Sequence, residues 1–143
     1  MIDMAKIKAT AKWVRNVRSI ADNSRTHSVV LDLPTNLGGE DTGPTALELA
    51  VMSLADCAVT IYADIAKKSG VKLTELVAVA EAEKPAGSAK LTGVDLKVKV
   101  SGKASKRVLE TMWRKTEEKC PVLSIFKDPV PLKAELEVSS GVE

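Results

Sequence analysis

Apolar β-branched residues are mixed with basic and other polar residues along several short segments near the N-terminus, which is typical of β-strands. Segments 7–14, 17–21 and 28–33 are rich in β-branched residues, and residues 22–24 are a turn signal between the last two. Pro34 ends the third segment, because proline cannot donate to a sheet ladder. The pattern therefore predicts an N-terminal antiparallel meander of three strands.

The next segment, residues 46–66, is almost continuously apolar and is interrupted by Glu48, Asp56 and Asp64. Its length permits a membrane span, but an acid near the bilayer centre costs about 2.5–3.5 kcal/mol. We therefore expect a buried helix of a soluble protein, without a membrane partner.

A glycine-containing loop, residues 38–43, precedes this helix, and either Thr42 or Thr45 is suited to cap its first turn. Ser69-Gly70 is a suitable C-terminal stop. A helix that is apolar nearly all round must be covered on most sides, and a chain of 143 residues has little left to do so. We expect a second subunit to cover it in a homodimer.

The second half of the chain mixes strand and helix patterns. Segment 76–83 favours a strand, although its Ala and Glu content also permits a helix, and segment 94–100 alternates cleanly. Segment 105–119 is amphipathic with a helical period, and segment 133–138 alternates again and is predicted to close the sheet. We predict an α+β fold with a single domain over residues 1–143.

Charge and composition exclude several classes of function. The chain carries 21 basic and 19 acidic residues, interspersed, for a net charge of +2, so we expect no nucleic-acid partner. The N-terminus lacks the apolar core of a signal peptide, which predicts a cytoplasmic protein.

His27 is the only histidine and the spacing of two cysteines gives no zinc pattern, so we expect no metal. We also expect no bound cofactor, because no phosphate-binding glycine fingerprint is present.

The two cysteines are the candidate chemical groups. Cys57 lies within the apolar helix, and Cys120 is followed by Pro121, which is favoured at the first position of a helix. Cys120 is therefore expected near an N-cap, where free N–H groups favour a thiolate. A helix-bound thiol and a thiol on a turn suit reversible thiol–disulfide chemistry. The plain alternative is two small, inert buried side chains.

Three stretches of the sequence resemble the OsmC/Ohr family of thiol peroxidases. Segment 37–44 is similar to the glycine-rich loop of that family, and segment 48–57 resembles its central helix, which carries the first cysteine. Cys120-Pro121 is similar to the second cysteine motif, which precedes a short helix and a last strand, here 132–138.

This resemblance implies an OsmC-like fold, in which two chains form an intertwined dimer, and defence against oxidative stress. It implies that Cys57 attacks an organic hydroperoxide, that Cys120 resolves the resulting sulfenic acid as a disulfide, and that an external dithiol regenerates both thiols. It also implies an apolar pocket near Cys57, for which the candidate lining residues are Met52, Leu54, Tyr62 and Met112.

The resemblance further implies an arginine from the first strand region that favours the thiolate of Cys57. Candidates are Arg15, Arg18 and Arg25. By its distance from the glycine loop Arg18 fits best and Arg15 second. Each of them has the ordinary alternative of a solvated surface arginine.

The family's well-known hydroperoxide reductases have a glutamate ten residues before the first cysteine, which helps to hold the arginine. Leu47 occupies that position here, and Glu48 follows it on the opposite face of a regular helix from Cys57. Glu48 is therefore a site candidate only if the helix start is irregular or a partner chain takes part.

Two other functions stay open at this point. The first is a non-enzymatic or weakly active protein of the same fold, which binds or senses redox state as a dimer. The second is a structural protein with two buried thiols. The sequence does not identify the physiological hydroperoxide or the reductant.

Overall fold

The computed structural model describes residues 5–142, which begin with a three-stranded antiparallel sheet. Strand β1 covers Thr10–Arg15, β2 covers Arg18–Asp22 and β3 covers Ser28–Leu31, with β2 in the centre. The predicted meander is therefore confirmed, with residues 16–17 between β1 and β2 and residues 23–27, which overlap the predicted turn, between β2 and β3.

A short 3-10 helix at Thr35–Leu37 and the glycine loop lead from β3 into helix α1, Ala46–Lys68. Thr45 caps this helix, since its hydroxyl accepts the N–H of Glu48 at 3.0 Å. Gly70, in the left-handed region at φ 70°, follows its last turn. Helix α1 is long and apolar enough to cross a membrane, a property that it shares with the core helices of soluble proteins.

A second sheet is formed by β4, Leu73–Glu83, and β5, Gly93–Gly102. Exposed and half-buried residues alternate along both strands, as the sequence predicted for this region. Two helices follow: α2 at Lys106–Lys119, capped by the side chain of Ser105, and α3 at Pro121–Lys127. The α+β class is confirmed.

The predicted closing strand is wrong. Segment 133–138 is outside every strand of the described chain, and the side chains of Leu132 and Leu136 beside and within it are 89% and 87% exposed. Alternation makes a segment suitable for a sheet, but a strand also needs a neighbour whose backbone pairs with it. Within residues 5–142 this segment has no such pairing.

Contacts between residues divide the chain into two compact units. The first contains the residues up to Ala55 together with Val79–Lys97, and the second contains Asp56–Ala78 together with the residues from Val98 onward. The first unit holds the three-stranded sheet and the glycine loop. The second unit has a core of buried side chains from the later part of α1 and from α2, namely Tyr62, Ile65, Ala66 and Met112.

Candidate functional site

The two cysteines lie side by side in the second unit. Cys57 is a half-buried residue of α1, and Cys120 is a buried residue at the junction between α2 and α3. Their thiols are neighbours, close enough for Cys57 to raise the pKa of Cys120. The structure thus brings together the two thiols that the sequence analysis singled out, and both are free rather than joined as a disulfide.

The position of Cys120 is fixed by the two helices that meet there. Its N–H donates to the carbonyl of Thr116 at 2.9 Å, which closes α2, and its carbonyl accepts the N–H of Ser124 at 3.1 Å, which opens α3. Pro121 starts α3, as its fixed φ predicts. Thr116 is completely buried, and its hydroxyl donates to the carbonyl of Met112.

Cys120 is 2% exposed, and its environment favours the protonated thiol. Burial raises the pKa of Cys120, and the hydrogen bond and charge of Cys57 raise it further. The backbone N–H groups of Leu123 and Val122 lower the pKa of Cys120, but by less than burial and Cys57 raise it. The predicted N-cap position is confirmed, whereas the expectation that it makes Cys120 a favoured thiolate is wrong, because burial dominates.

Arg18 lies in the first unit, at the start of β2, against two carboxylates. Its Nε is 3.6 Å from Oδ2 of Asp32, and its Nη2 is 3.3 Å from Oε1 of Glu40. The side chain of Arg18 is 23% exposed, and Nε is buried without a hydrogen-bond partner. Such a guanidinium is oriented and is partly shielded from solvent.

Arg15, the second candidate, shares Glu40 with Arg18. Its Nη2 donates to Oε1 of Glu40 at 2.6 Å, but its side chain is 64% exposed. An ion pair in that setting is screened by water and contributes little. Arg25 is also exposed, in the turn before β3, where its N–H donates to the side chain of Asn23.

Asp32 organises the glycine loop. Its Oδ2 accepts the hydroxyl of Thr42 at 2.6 Å and the N–H groups of Thr42 and Glu40, while Oδ1 accepts the N–H of Leu33. These donors, with the hydroxyl of Thr42 foremost, lower the pKa of Asp32 against the effect of burial. Asp32 is therefore an ionised carboxylate at neutral pH, and it is 4% exposed.

The glycine at position 39 permits this arrangement. A Cβ there would overlap the carbonyl of Leu33 and would stand 2.7 Å from Oδ1 of Asp32. The loop is also tied to the β1–β2 turn, where the side-chain amide of Asn16 donates to the carbonyl of Gly38 at 2.9 Å. The backbone of the loop thus packs directly against the carboxylate that faces Arg18.

Glu48 is a capping residue in the structure. Its Oε1 accepts the N–H of Thr45 at 2.9 Å, while the hydroxyl of Thr45 accepts the N–H of Glu48. This reciprocal pair is a capping box. The side chain is therefore engaged at the helix terminus, and its participation in thiol chemistry stays a prediction.

The four residues suggested as pocket linings are in different environments. Tyr62 and Met112 are packed in the core of the second unit, so they do not line an open pocket. Leu54 is 2% exposed in the first unit. Met52 lines a groove of about 380 Å³ in the first unit together with Leu47, Val51, Leu91 and their neighbours.

Sequence reasoning missed Asp32, Glu40 and Thr42 as partners of the arginine. One signal was available for Asp32, which is an acid among apolar residues, two positions before Pro34. A carboxylate in an otherwise apolar strand is rarely buried without partners. Among residues 5–142 no group of three or more His, Cys, Asp or Glu side chains is arranged to hold a metal ion.

The fold is α+β, and the two neighbouring thiols form a candidate dithiol centre. Comparisons with known proteins identify the family. The model of the OsmC-like protein family matches residues 38–135, which is more than half of the chain. The chain belongs to the OsmC-like family. No curated protein matches it in sequence.

Solved structures share the fold at low sequence identity. The OsmC-like protein from Mycoplasma pneumoniae is 15% identical with a TM-score of 0.74, covering 87% of this chain and 89% of that one. A hypothetical protein from Aquifex aeolicus VF5 is 18% identical with a TM-score of 0.71, covering 91% and 93%. An organic hydroperoxide resistance protein from Legionella pneumophila is 20% identical with a TM-score of 0.59, covering 89% and 93%.

Proposed function

We propose that this protein is a thiol-dependent peroxidase that reduces organic hydroperoxides through Cys57 and Cys120, as part of defence against oxidative stress. The observation that carries the proposal is that Cys57 and Cys120, the only cysteines of the chain, lie near each other in the second unit. The family, and the fold shared with an organic hydroperoxide resistance protein, support the substrate class.

Cys57 is assigned as the attacking thiol. It is half-buried and therefore more accessible than Cys120, whose thiol is buried and kept protonated by its raised pKa. A peroxide must reach the sulfur that attacks it, and the thiolate is the nucleophile. Cys120 is then suited to hold its proton until the second step.

In the first step the Cys57 thiolate attacks the distal oxygen of the hydroperoxide. The S–O bond forms as the O–O bond breaks, and the alkoxide leaves as the alcohol after taking up one proton. The sulfur is oxidised by two electrons to sulfenic acid and the peroxide is reduced by two.

In the second step the sulfur of Cys120 attacks the sulfenic sulfur of Cys57. The S–S bond forms, the S–O bond breaks, and hydroxide leaves as water with the proton from Cys120. An external dithiol then reduces the disulfide by exchange, so that both thiols are restored and the dithiol becomes a disulfide. Atoms and electrons balance over the cycle without a cofactor.

The family resemblance implies a cation that stabilises the thiolate of Cys57, and Arg18 stays the first candidate for that role, with Arg15 as the alternative. The assignment is supported by burial, because Arg18 is 23% exposed and Arg15 is 64% exposed. A guanidinium that is less hydrated interacts more strongly with a nearby anion.

The test is a peroxide-consumption assay with dithiothreitol as the reductant. We expect the wild type to consume cumene hydroperoxide faster than hydrogen peroxide, and Cys57→Ser to show only the background rate. Cys120→Ala is the matched control, because without dithiothreitol it should still react once with hydroperoxide and accumulate Cys57 sulfenic acid. Equal rates for wild type and Cys57→Ser would refute the proposal.

A second candidate function is a redox-sensing dimer with slow peroxide chemistry. The observation that favours it is the burial of Cys120, because a protonated thiol resolves a sulfenic acid slowly. A wild type that forms the disulfide stoichiometrically, but turns over too slowly to remove peroxide, would select this function.

A further inference from the structure

The two thiols of the candidate dithiol centre differ in their exposure to solvent. Cys57 is half-buried on α1, whereas Cys120 is 2% exposed at the junction between α2 and α3. Both residues belong to the second unit, so the difference is a property of that unit alone. A disulfide that joins them would therefore have one accessible sulfur, from Cys57, and one enclosed sulfur, from Cys120.

The surface of α1 beside Cys57 is open to solvent in the described chain. Asp56 and Thr60 are exposed, and their side chains are joined by a hydrogen bond of 3.4 Å, while Ser53 and Ile61 are half-buried. Side chains of a helix lean toward its N-terminus, so Thr60 borders the surface that Cys57 presents one turn earlier. A thiol from solution can therefore approach the sulfur of Cys57 past Thr60.

Cys120 is enclosed by the junction that it forms. Its N–H donates to the carbonyl of Thr116 at 2.9 Å, and its carbonyl accepts the N–H of Ser124 at 3.1 Å, so its backbone is fixed in both helices. The preceding turns of α2 place the buried side chains of Met112 and Thr116 on the same side of the helix. Exposure of the Cys120 sulfur would therefore require the junction to open and these hydrogen bonds to break.

Access and leaving-group strength favour opposite sulfurs in thiol–disulfide exchange. The rate depends on access to the attacked sulfur and increases as the pKa of the leaving thiol falls. The raised pKa of Cys120 disfavours its departure, although the N–H groups of Leu123 and Val122 stabilise its thiolate. Access decides between them, because the attacking sulfur must reach bonding distance in line with the S–S bond. A poorer leaving thiol only slows the exchange, whereas an enclosed sulfur is not attacked until the protein opens.

We propose that the external dithiol attacks the sulfur of Cys57, so that Cys57 carries the mixed disulfide and Cys120 is the leaving thiol. This inference rests on the proposed function, which supplies the disulfide. The reductant's thiolate bonds to the sulfur of Cys57 as the bond to Cys120 breaks, and Cys120 takes up a proton. The reductant's second thiol then attacks its sulfur that is linked to Cys57. That step releases Cys57 and closes the reductant's own disulfide, so two electrons pass from the dithiol to the protein.

The test maps the mixed disulfide on the full-length wild type. Diamide forms the disulfide without a peroxide, so the test does not depend on the proposed activity. Glutathione then opens it, and as a monothiol it cannot complete the second exchange. At short times the sample is quenched with acid and the freed thiol is blocked with N-ethylmaleimide. We expect tryptic peptides with glutathione on Cys57 and maleimide on Cys120. The reverse pattern, an equal mixture at the earliest times, or no disulfide after diamide would overturn the proposal.

Two bulky substitutions provide a second arm, with the rate of disulfide reduction by dithiothreitol as the readout. Thr60→Trp covers the approach to Cys57, and Ser124→Trp is the matched control, because Ser124 is an exposed residue one turn after Cys120. We expect Thr60→Trp to slow reduction severalfold and Ser124→Trp to keep the wild-type rate.

If Ser124→Trp slows reduction as much as Thr60→Trp, or if neither does, the proposal is overturned. If the map and both rates are as expected but cumene hydroperoxide forms no disulfide in the wild type, the proposed function fails and the site of reductant attack stands.

Discussion

Replacing Glu48 tests whether this acid is a capping residue or part of the thiol site. In the structure, Oε1 of Glu48 accepts the N–H of Thr45 at 2.9 Å, and the hydroxyl oxygen of Thr45 accepts the N–H of Glu48 at 3.0 Å. Glu48→Ala removes the first of these bonds and the negative charge. Glu48→Gln removes only the charge, because a glutamine at this position of a capping box still accepts the same N–H.

The expected changes in the free energy of unfolding follow from the loss of the hydrogen bond and the loss of the charge. A single exposed hydrogen bond contributes about 0.5–1.5 kcal/mol, and a carboxylate in the first helical turn contributes about 0.3–1 kcal/mol through the helix dipole. Glu48→Ala should therefore lower the free energy of unfolding by about 1–2 kcal/mol, offset by a few tenths through the higher helix propensity of alanine. Glu48→Gln should lower it by about 0.3–1 kcal/mol.

The assay is urea unfolding followed by circular dichroism, at one fixed protein concentration so that any association is equal in all samples. The pH midpoint for alkylation of Cys57 by iodoacetamide and the hydroperoxide turnover are measured on the same preparations. A capping role predicts graded losses of stability with both chemical readouts unchanged. A large loss of hydroperoxide turnover in Glu48→Gln, at nearly wild-type stability, would refute the capping role and indicate that Glu48 takes part in the thiol chemistry.

Three further outcomes are expected. Tyr62→Phe should lower the free energy of unfolding by about 1 kcal/mol, because the buried hydroxyl donates to the carbonyl of Leu109 at 2.8 Å; an unchanged urea midpoint would contradict this. The pKa of Asp32 is lower in the folded protein, so its carboxylate contributes stability that is present above about pH 4 and is lost as the pH falls toward the folded-state pKa. Acid should therefore lower the free energy of unfolding more in the wild type than in Asp32→Asn, and parallel pH profiles of the two proteins would contradict this. The chain should sediment as a homodimer, because Met52 of α1 is 54% exposed in the single chain; a monomer whose melting temperature is independent of concentration would contradict it.

Local patterns were sufficient to predict most of the secondary structure. The alternation of 94–100 corresponds to β5, the amphipathic period of 105–119 corresponds to α2, and Thr45 and Gly70 bound α1 as expected. These features depend on residues within one or two turns of each other. The wrong strand at 133–138 depends on a pairing partner, and local alternation carries no information about one.

The candidate site was predictable only where it depends on residues that are close together in the sequence. The two cysteine motifs indicated the thiol pair, but the balance of effects on Cys120 required its burial, which only the packed chain shows. Asp32 and Glu40 meet Arg18 through contacts between segments that are distant in sequence. No spacing rule relates these positions, so side-chain geometry was needed to find them.

The most direct measurement of the central claim is mass spectrometry of the wild type after one equivalent of cumene hydroperoxide. The account predicts that the intact protein loses about 2 Da and yields one linked peptide that joins Cys57 to Cys120. In Cys120→Ala the sulfenic acid on Cys57 should persist longer, and further hydroperoxide should overoxidise it more readily than in the wild type. Sulfenic or sulfinic products in the wild type without a linked peptide would contradict the account and leave Cys120 as a structural residue.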